Sequence, residues 1–333
     1  MAQLVLGLGS SHTAQLKIPW EFWHLGGEKD MVDRRFDYQA LLEKVRPGME
    51  SEVTPERFRE RYEACQRGMA TITEAIKRVA PDVIIMLGDD QEEQFHDDNM
   101  PMLCIFNGAS MPIAQRRRRQ EDQAGGARPR SNGGSTSAQR TWLSERVRVD
   151  MAPEYPGAPD LANHLLRHLV QEEFDVSRSN QLKAEIGLGH AFTYLYDLWP
   201  ECDIPVVPFM VNTYYPPNTP TPRRCYALGQ ALRRAIESWD SDKRVAIMAS
   251  GGLSHQIIDE EVDEMTIRGL REKSPELLFA LPEERLTLGT SEIRNWVIAA
   301  GATEAMELGY LEYIPCFRSL AGTGCAMGFA VWE

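Results

Sequence analysis

The 333-residue sequence has only six cysteines, and no two of them form a C-x-x-C pair. This scarcity argues against a disulfide framework and a zinc ribbon, and it favours a reducing compartment. No stretch approaches the roughly 18 apolar residues of a membrane-spanning helix, and the start of the chain lacks the basic region of a signal peptide. The sequence therefore predicts a cytoplasmic protein without a membrane partner.

Positive charge is also under-represented. The chain has 36 Lys and Arg against 49 Asp and Glu, a formal net charge of −13, which disfavours nucleic acid as a partner. The exception is a run rich in Arg, Gly and Ser at residues 115–150, a composition typical of a flexible, solvated loop. A lid that carries arginines over a site is the alternative interpretation of this run.

Apolar runs alternate with helical patterns along most of the chain. The alternation predicts an α/β fold, a three-layer sandwich whose central mixed sheet is covered by helices on both faces. Thr54 as N-cap and Pro55 at the first helical position predict a helix over residues 55–79. Further helices are predicted from PDLANHLLRHLVQEEF and RRCYALGQALRRAIESW, and strands from QLVLGLGSSH, PDVIIMLG, IPVVPFMV, RVAIMAS and GTGCAMGFAVW.

Two parts of the chain do not follow this alternation. Residues 13 to about 53 mix tryptophans with many charges, and we expect them to form an excursion from the core. Helices are expected to dominate after RVAIMAS, up to about residue 308, with GTGCAMGFAVW as the last strand.

Polar side chains follow three of the predicted strands. His12 follows LVLGLGSS, residues 89–91 (DDQ) follow VIIMLG, and His255 follows VAIMASGGLS. In open α/β sheets functional groups lie beyond the carboxyl ends of the strands, and the adjacent glycines and serines let the backbone turn sharply there. His190, in GLGHAF, is a fourth candidate. The sequence therefore predicts one site at a common edge of the sheet.

Each candidate also has a purely structural interpretation. A lone histidine after a strand is often a turn residue, and Asp89 and Asp90 are suited to cap a following helix. Glu292, in LGTSEIRNW, suits the first turn of a helix, where its charge is favourable. His164 and His168 have the i, i+4 spacing of a metal-binding pair, but they lack the H-E-x-x-H glutamate, so we interpret them as helix-face residues.

Taken together, the motifs resemble a known family. The matching segments are GLGSSHTAQL, PDVIIMLGDDQEEQF, PDLANHLLRHLVQEEFDVSRSNQ, GLGHAF, IPVVPFMVNTYYPP, RCYALGQALRRAIES, ASGGLSHQ and GTSEIRNWVIAAGA. They resemble the catalytic subunit of class III extradiol ring-cleavage dioxygenases, of the protocatechuate 4,5-dioxygenase β-subunit type, and look most like its methylgallate-dioxygenase-like branch. They span most of the chain outside residues 13–80 and 107–150.

The resemblance implies a non-haem Fe(II) ion as cofactor. By it, His12 and Glu292 are two protein ligands of the metal, and the slot of the family's other metal histidine holds Gln91. A glutamine oxygen is a harder and weaker ligand than imidazole, so this departure bears on metal affinity and identity. His96, five residues further on, is the second choice for that slot, and a site with no third ligand is the other alternative.

The resemblance also implies the reaction. It is insertion of O₂ into the ring of a vicinal aromatic diol, catechol- or gallate-like, with carboxylated or methoxylated diols included. His255 would be the catalytic acid and base, because a histidine near neutrality suits both proton transfers. His190 would either support the metal ligands without binding the metal itself or orient the substrate. The segment NTYYPPNTPTPRR and the 115–150 run are candidates for an aromatic wall and a cation that bind a substrate carboxylate.

The resemblance further implies one catalytic domain over residues 1–333, with insertions at about 13–53 and 107–150. Family members often use a separate small subunit as a lid. We expect the extra length to replace that subunit here, in a homodimer of single chains.

Two other function classes remain open from the residues. Gln91 motivates the first, a non-catalytic binding protein of the same fold. The second is a metal-dependent hydrolase, because a cluster of histidine and carboxylate side chains can activate water on zinc.

Overall fold

A computed structural model describes residues 1–112, 154–183 and 186–333. Its strands are β1 Gln3–Ser10, β2 Val83–Gly88, β3 Leu103–Phe106, β4 Ser110–Pro112, β5 Glu154–Pro156, β6 Ser177–Ser179, β7 Val206–Val211, β8 Arg244–Ser250, β9 His255–Ile257, β10 Leu308–Phe317 and β11 Thr323–Trp332. Its α-helices are α1 Trp23–Asp30, α2 Tyr38–Leu42, α3 Pro55–Val79, α4 Pro159–Gln171, α5 His190–Leu198, α6 Pro222–Ser238, α7 Glu260–Arg271, α8 Pro275–Phe279 and α9 Ile293–Ala302.

One mixed sheet runs through the molecule. Its strand order is β10-β11-β1-β8-β2-β7-β3-β6, and β9 pairs with β11 outside this path. The four central strands β1, β8, β2 and β7 are parallel to one another. β11 is antiparallel to β1, and β3 is antiparallel to β7. The parallel centre brings the carboxyl ends of β1, β8 and β2 side by side.

Helices cover both faces of this sheet. Every residue of β2 is buried, and its side chains alternate between two separate apolar cores. Ile85 and Leu87 belong to the core formed with α4, α6 and α9, whereas Ile84 and Met86 belong to the core formed with α3 and α5. The continuous apolar character of the run VIIML follows from this burial on both sides. The predicted three-layer α/β sandwich is confirmed.

The helix predicted over residues 55–79 is confirmed with the same bounds. Thr54 Oγ1 accepts a hydrogen bond from the backbone N–H of Arg57 at 3.3 Å, and Pro55 occupies the first helical position. The apolar residues of α3 face the sheet at helical spacing, among them Phe58, Ile72 and Ile76. A cap and a periodic apolar stripe are local signals, which explains why both ends were predictable.

The segment at residues 13–53 is more ordered and more buried than expected. It contains α1, α2 and three short 3-10 helices. Leu16 and Trp23 are each only 2% exposed and belong to the core under α3, and the rings of Trp23 and Phe58 lie 5.8 Å apart. The expectation of an excursion from the core is therefore wrong for these two residues.

The sequence analysis also missed a strand. β10 lies between the last helix and β11, in residues that the sequence analysis assigned to no element, and it pairs antiparallel with β11 along its whole length. Of the insertion expected at 107–150, residues 107–112 are described and include β4; the rest, with most of the Arg-rich run, lies outside the described residues.

Two observations concern the cysteines and the hydrophobicity of the helices. All six cysteines are buried free thiols, as the scattered spacing predicted. Within the described ranges, no helix combines the length and the apolar character needed to cross a membrane.

Helices α6 and α9 cross at two glycines, with almost no space between their backbones. A Cβ atom on Gly229 would lie 2.0 Å from the carbonyl oxygen of Ile298, and one on Gly301 would lie 2.1 Å from the carbonyl oxygen of Tyr226. The neighbouring atoms are backbone, which cannot move aside as a flexible side chain can. Close contact of these two helices therefore requires glycine on both sides.

We predict that Gly229→Ala lowers the free energy of unfolding by about 1–3 kcal/mol, because the added methyl group overpacks this crossing. Urea unfolding followed by circular dichroism measures the change. Gly309→Ala is the matched control, since a Cβ atom at Gly309 meets no atom within 4 Å. Equal stability of the two variants would contradict the packing argument.

Candidate functional site

The predicted polar residues meet at the carboxyl edge of the parallel strands. His12 lies two residues after β1, Asp89 directly follows β2, and His255 follows the turn after β8. β8 pairs with both β1 and β2, so these three strand ends are adjacent. Glu292 arrives from the turn before α9 and His190 from the first residue of α5.

The imidazole of His12 is held in one tautomer. Its Nδ1 lies 2.9 Å from Ser250 Oγ, and Ser250 Oγ donates its hydrogen to the carbonyl oxygen of Ala191 at 2.6 Å. Ser250 Oγ must therefore accept from His12 Nδ1–H, which leaves a lone pair on Nε2. Burial lowers the pKa of His12 to about 4, despite the neighbouring Glu292 carboxylate. His12 is thus a neutral base whose Nε2 faces the site.

Two residues of α9 hold the turn that carries Glu292 in place. Trp296 Nε1 donates to the carbonyl oxygen of Gly251 at 2.9 Å, which ties α9 to the turn after β8. The buried guanidinium of Arg294 donates to the carbonyl oxygens of Pro220 at 2.8 Å and Leu286 at 2.9 Å. These bonds seat the turn that carries Glu292 against the ends of β7 and β8.

The carboxylate of Glu292 has partners of several kinds. Its Oε2 accepts from the backbone N–H of Gly252 at 2.9 Å and lies 3.8 Å from His12 Nε2. Its Oε1 lies 3.3 Å from His255 Nε2. Burial alone would raise the pKa of Glu292, but the charges of His255 and His12 and the hydrogen bonds from His255 and the Gly252 N–H together outweigh burial and lower the pKa to about 2. Glu292 is therefore a buried, ionised carboxylate.

His255 faces Glu292 with a defined nitrogen. Its Nδ1 lies 2.8 Å from the carbonyl oxygen of Leu253, which only accepts, so Nδ1 carries a hydrogen and Nε2 points to Glu292. Burial would lower the pKa of His255, but the Glu292 carboxylate reverses the direction and raises it to about 10. The ring lies flat against Gly289, where a Cβ atom would come within 2.1 Å of His255 Cδ2. Glycine is required there to admit the imidazole.

His190 is oriented by an acid that the sequence analysis missed. Glu93 accepts from His190 Nδ1 at 3.0 Å and from its backbone N–H at 3.1 Å. Burial alone would lower the pKa of His190, but hydrogen bonding to Glu93 and the charge of Asp89 raise it to about 9. With Nδ1 engaged, Nε2 is the nitrogen of His190 that remains available. Glu93 and His190 are 97 positions apart, so no local pattern could have connected them.

Asp89 was predicted at this edge of the sheet, but its environment is unexpected. Its side chain is 1% exposed, and neither of its carboxylate oxygens has a hydrogen-bond partner of normal geometry among the described residues. Burial, together with the charge of Glu292, raises the pKa of Asp89 to about 7. The expectation that the Asp89-Asp90 pair caps a helix is wrong: Asp90 accepts from the backbone N–H groups of Gln94 and Phe95, but these belong to a loop.

Together these residues form a group suited to a metal ion. His12, Asp89 and His190 each offer a ligand atom, and the three atoms lie within 4.8 Å of one another. Gln91 Nε2 donates to Glu292 Oε1 at 3.4 Å, so Gln91 also reaches the cluster. The structure thus brings His12, Glu292, Gln91, His255 and His190 together with Asp89, and it adds Glu93.

The other histidines considered from the sequence take no part in the contacts of this cluster. His96, the second choice for the third ligand, is solvent-exposed. His164 Nε2 contacts the carbonyl oxygen of Ala235 at 2.8 Å, and His168 Nε2 contacts Glu172 at 3.1 Å. The interpretation of His164 and His168 as helix-face residues agrees with these contacts.

A buried network fixes the turn that carries His255. Asp263 accepts from the backbone N–H of Ser254 at 2.7 Å, from Ser254 Oγ at 2.6 Å and from Tyr313 Oη at 2.9 Å. Ser254 Oγ in turn accepts from the backbone N–H of Asp259 at 2.8 Å. Helix α7, which carries Asp263, therefore determines where His255 lies.

Comparison with known protein families agrees with this geometry. Residues 46–316 match the family described as the catalytic LigB subunit of aromatic ring-opening dioxygenase. The chain belongs to this family. The resemblance to class III extradiol dioxygenases inferred from the sequence motifs is thereby confirmed.

Two curated proteins that are similar to this chain are named as aromatic dioxygenases. A gallate dioxygenase of Pseudomonas putida is 35% identical over 166 residues, which cover 46% of this chain and 48% of that protein. A 2,3-dihydroxyphenylpropionate/2,3-dihydroxicinnamic acid 1,2-dioxygenase of Comamonas testosteroni is 26% identical over 194 residues, 58% of this chain and 49% of that protein. The chain thus spans about half the length of the curated relatives it matches.

Among solved structures, an uncharacterized protein from Escherichia coli K12 is similar with a TM-score of 0.45 and 12% sequence identity. The match covers 79% of this chain and 91% of that chain.

We predict that Asp263→Ala destabilises the protein by at least about 2 kcal/mol, because it leaves the Ser254 N–H and hydroxyl and the Tyr313 hydroxyl without their acceptor. Chemical unfolding measures the loss. Glu264→Ala, one residue along α7 and solvent-exposed, is the control and should change stability little. A cost no larger than that of the control would show that the network does not hold the turn.

Proposed function

We propose that the protein is a non-haem Fe(II)-dependent extradiol dioxygenase, which uses O₂ to open the ring of a vicinal aromatic diol. The observation that carries the proposal is the buried meeting of His12, Glu292 and His255 at one sheet edge, in a chain of the LigB family. The relatives' names favour gallate-like and dihydroxyphenylpropionate-like diols as substrates.

The residues of the cluster fit a divalent metal ion. His12 offers a neutral Nε2 whose direction is fixed by Ser250, and Glu292 offers a buried, ionised carboxylate. The buried oxygens of Asp89 have no hydrogen-bond partner among the described residues, so they are available to a cation. We propose His12 and Glu292 as ligands, with Gln91 as the residue in the third slot by family resemblance. When bound, Fe(II) supplies adjacent positions for the diol and O₂ and the redox chemistry between them.

His255 is proposed as the catalytic acid and base. The near-neutral pKa expected of it from the sequence does not hold here, because Glu292 raises the pKa to about 10 and favours the acid form of the ring. Ring opening requires that a diol hydroxyl lose a proton and that an oxygen atom later gain one. Because Leu253 holds the Nδ1 hydrogen of His255, Nε2 is the nitrogen that exchanges a proton. That nitrogen lies 3.3 Å from Glu292 Oε1, so the exchanging proton moves directly beside a proposed metal ligand.

His190 is proposed to orient the substrate. Glu93 keeps its Nδ1 hydrogen-bonded and directs Nε2 into the cluster, where the His190 ring lies 4.9 Å from the His12 ring, edge to face. From this position Nε2–H donates to a diol oxygen. The position of Tyr214 supports the predicted aromatic wall. Its hydroxyl accepts from Gln256 Nε2 at 2.9 Å, and Gln256 is the residue that follows His255 in the chain.

Cytoplasmic location, one catalytic domain and assembly as a homodimer are part of the proposal. They rest on the sequence and on the family, and gel filtration with light scattering tests the dimer.

The reaction class is tested by oxygen uptake. Protein reconstituted anaerobically with Fe(II) should consume O₂ when gallate, protocatechuate or 2,3-dihydroxyphenylpropionate is added, and should form an absorbing ring-opened product. An oxygen electrode and diode-array spectra follow both. Hydrolysis that proceeds equally without O₂ would favour the hydrolase instead, and metal-replete protein inert toward all diols would favour the binding protein.

The residue roles are tested by two histidine variants. We predict that His12→Ala loses bound metal, at least about tenfold in affinity, whereas His255→Ala keeps the metal and loses about 10²–10⁴-fold in turnover. Metal content by inductively coupled plasma mass spectrometry and steady-state rates separate the two effects. His96→Ala, an exposed histidine outside the cluster, is the control. Unchanged metal content and rate in both site variants would refute the assignment.

A further inference from the structure

Gln91 occupies the position where the family resemblance places a metal-binding histidine, but its amide makes a hydrogen bond to Glu292. Its Nε2 donates to Glu292 Oε1 at 3.4 Å. In this orientation the amide presents hydrogens, not its oxygen, to the carboxylate that is proposed to bind the metal ion. Gln91 is therefore a hydrogen-bond partner of Glu292, and the slot in the ligand set remains to be filled.

Asp89, two residues earlier at the end of β2, is placed to fill it. The side chain is 1% exposed, and both carboxylate oxygens are without a hydrogen-bond partner in the part of the chain that the structure describes. A ligand oxygen of Asp89 lies within 4.8 Å of a ring nitrogen of His12 and of one of His190. The oxygens of Asp90 accept hydrogen bonds from backbone N–H groups. Those of Asp89 make no such bond to the described residues and are available to a ligand.

The environment of Asp89 favours a bound cation. A buried carboxylate without hydrogen-bond donors is unfavourable, and a cation bound beside it offsets that cost. Carboxylate oxygen beside imidazole nitrogen is a usual ligand pair for iron, manganese and zinc. A cation between His12 and Asp89 would compensate the charge of the aspartate and use the free Nε2 of the histidine.

We infer that Asp89, and not Gln91, is the third protein ligand of the metal ion, beside His12 and Glu292. The inference rests on the proposed function, because it assumes a metal ion at this edge of the sheet. One imidazole and two carboxylates form a harder and more anionic set than two imidazoles and one carboxylate. Compared with the family, this chain would thus use an aspartate at residue 89 in place of the histidine expected at residue 91.

The test is metal affinity, measured without turnover. Metal-free full-length protein is titrated anaerobically with Fe(II), and separately with Co(II), whose visible spectrum reports on the ligands. Asp89→Asn keeps the shape of the side chain and removes its charge, and we expect it to weaken binding of both ions at least about tenfold. Gln91→Ala should weaken binding less than Asp89→Asn does. Asp98→Asn, an exposed acid in the same loop, should leave binding unchanged.

Two further measurements protect the interpretation. Metal-free Asp89→Asn should unfold at a temperature at least as high as metal-free wild type, because an unpartnered buried charge has been removed; lost binding would then not reflect misfolding. Adding Gln91→His to Asp89→Asn should restore affinity, because the imidazole fills the slot that the aspartate had filled.

Three results would overturn the inference. Wild-type affinity in Asp89→Asn, or an equal loss in Gln91→Ala, would remove Asp89 from the ligand set and leave the proposed dioxygenase intact. Failure of the wild-type protein to bind either ion would overturn the inference and the proposed function together.

Discussion

The buried charge of Glu292 is the constraint on which the site depends. A carboxylate in the protein interior stays ionised only if donors and positive charge approach it closely. Here the Gly252 N–H, in the turn after β8, and the His255 ring, directly after that turn, provide them. Trp296 of α9 donates to the carbonyl of Gly251 in the turn at 2.9 Å, and Asn295 donates to the carbonyl of Ser250 at the end of β8 at 3.1 Å. The charge, the turn and the helix therefore position one another, and a shift in one displaces the other two.

The sequence predicted those parts of the fold whose signals are local. Helix α3 carries its own cap and apolar stripe, and the buried strands β2, β7 and β8 are short continuous apolar runs. Strand β10 carries no such signal. It is the edge strand of the sheet, most of its residues are only partly buried, and it contains Pro315, which strands accept mainly at edges. Its pairing with β11 forms it, and propensity alone does not specify such pairing.

The site divides along the same line. His12 and His255 were predictable because neighbouring parallel strands deliver their carboxyl ends to one edge. Asp89 and Asp90 are adjacent and chemically identical, yet Asp90 accepts backbone hydrogen bonds and Asp89 accepts none from the described residues. Which of the two is free depends on the path of the loop, and sequence does not state that path. Glu93 was missed for the same reason, because its partner is distant in the chain.

The position of β11 in the sheet has a consequence for how the protein is made. β1 lies between β8 and β11, and Gly328 N–H donates to Ser11 Oγ across a separation of 317 positions. At least 317 further residues must therefore be synthesised after Ser11 before β1 acquires its second neighbour. Contacts this distant in sequence slow folding and prolong the exposure of an unpaired strand edge. His12 lies two residues beyond β1, so its surroundings on the β11 side form late, and a shorter nascent chain would lack a complete version of the proposed metal site.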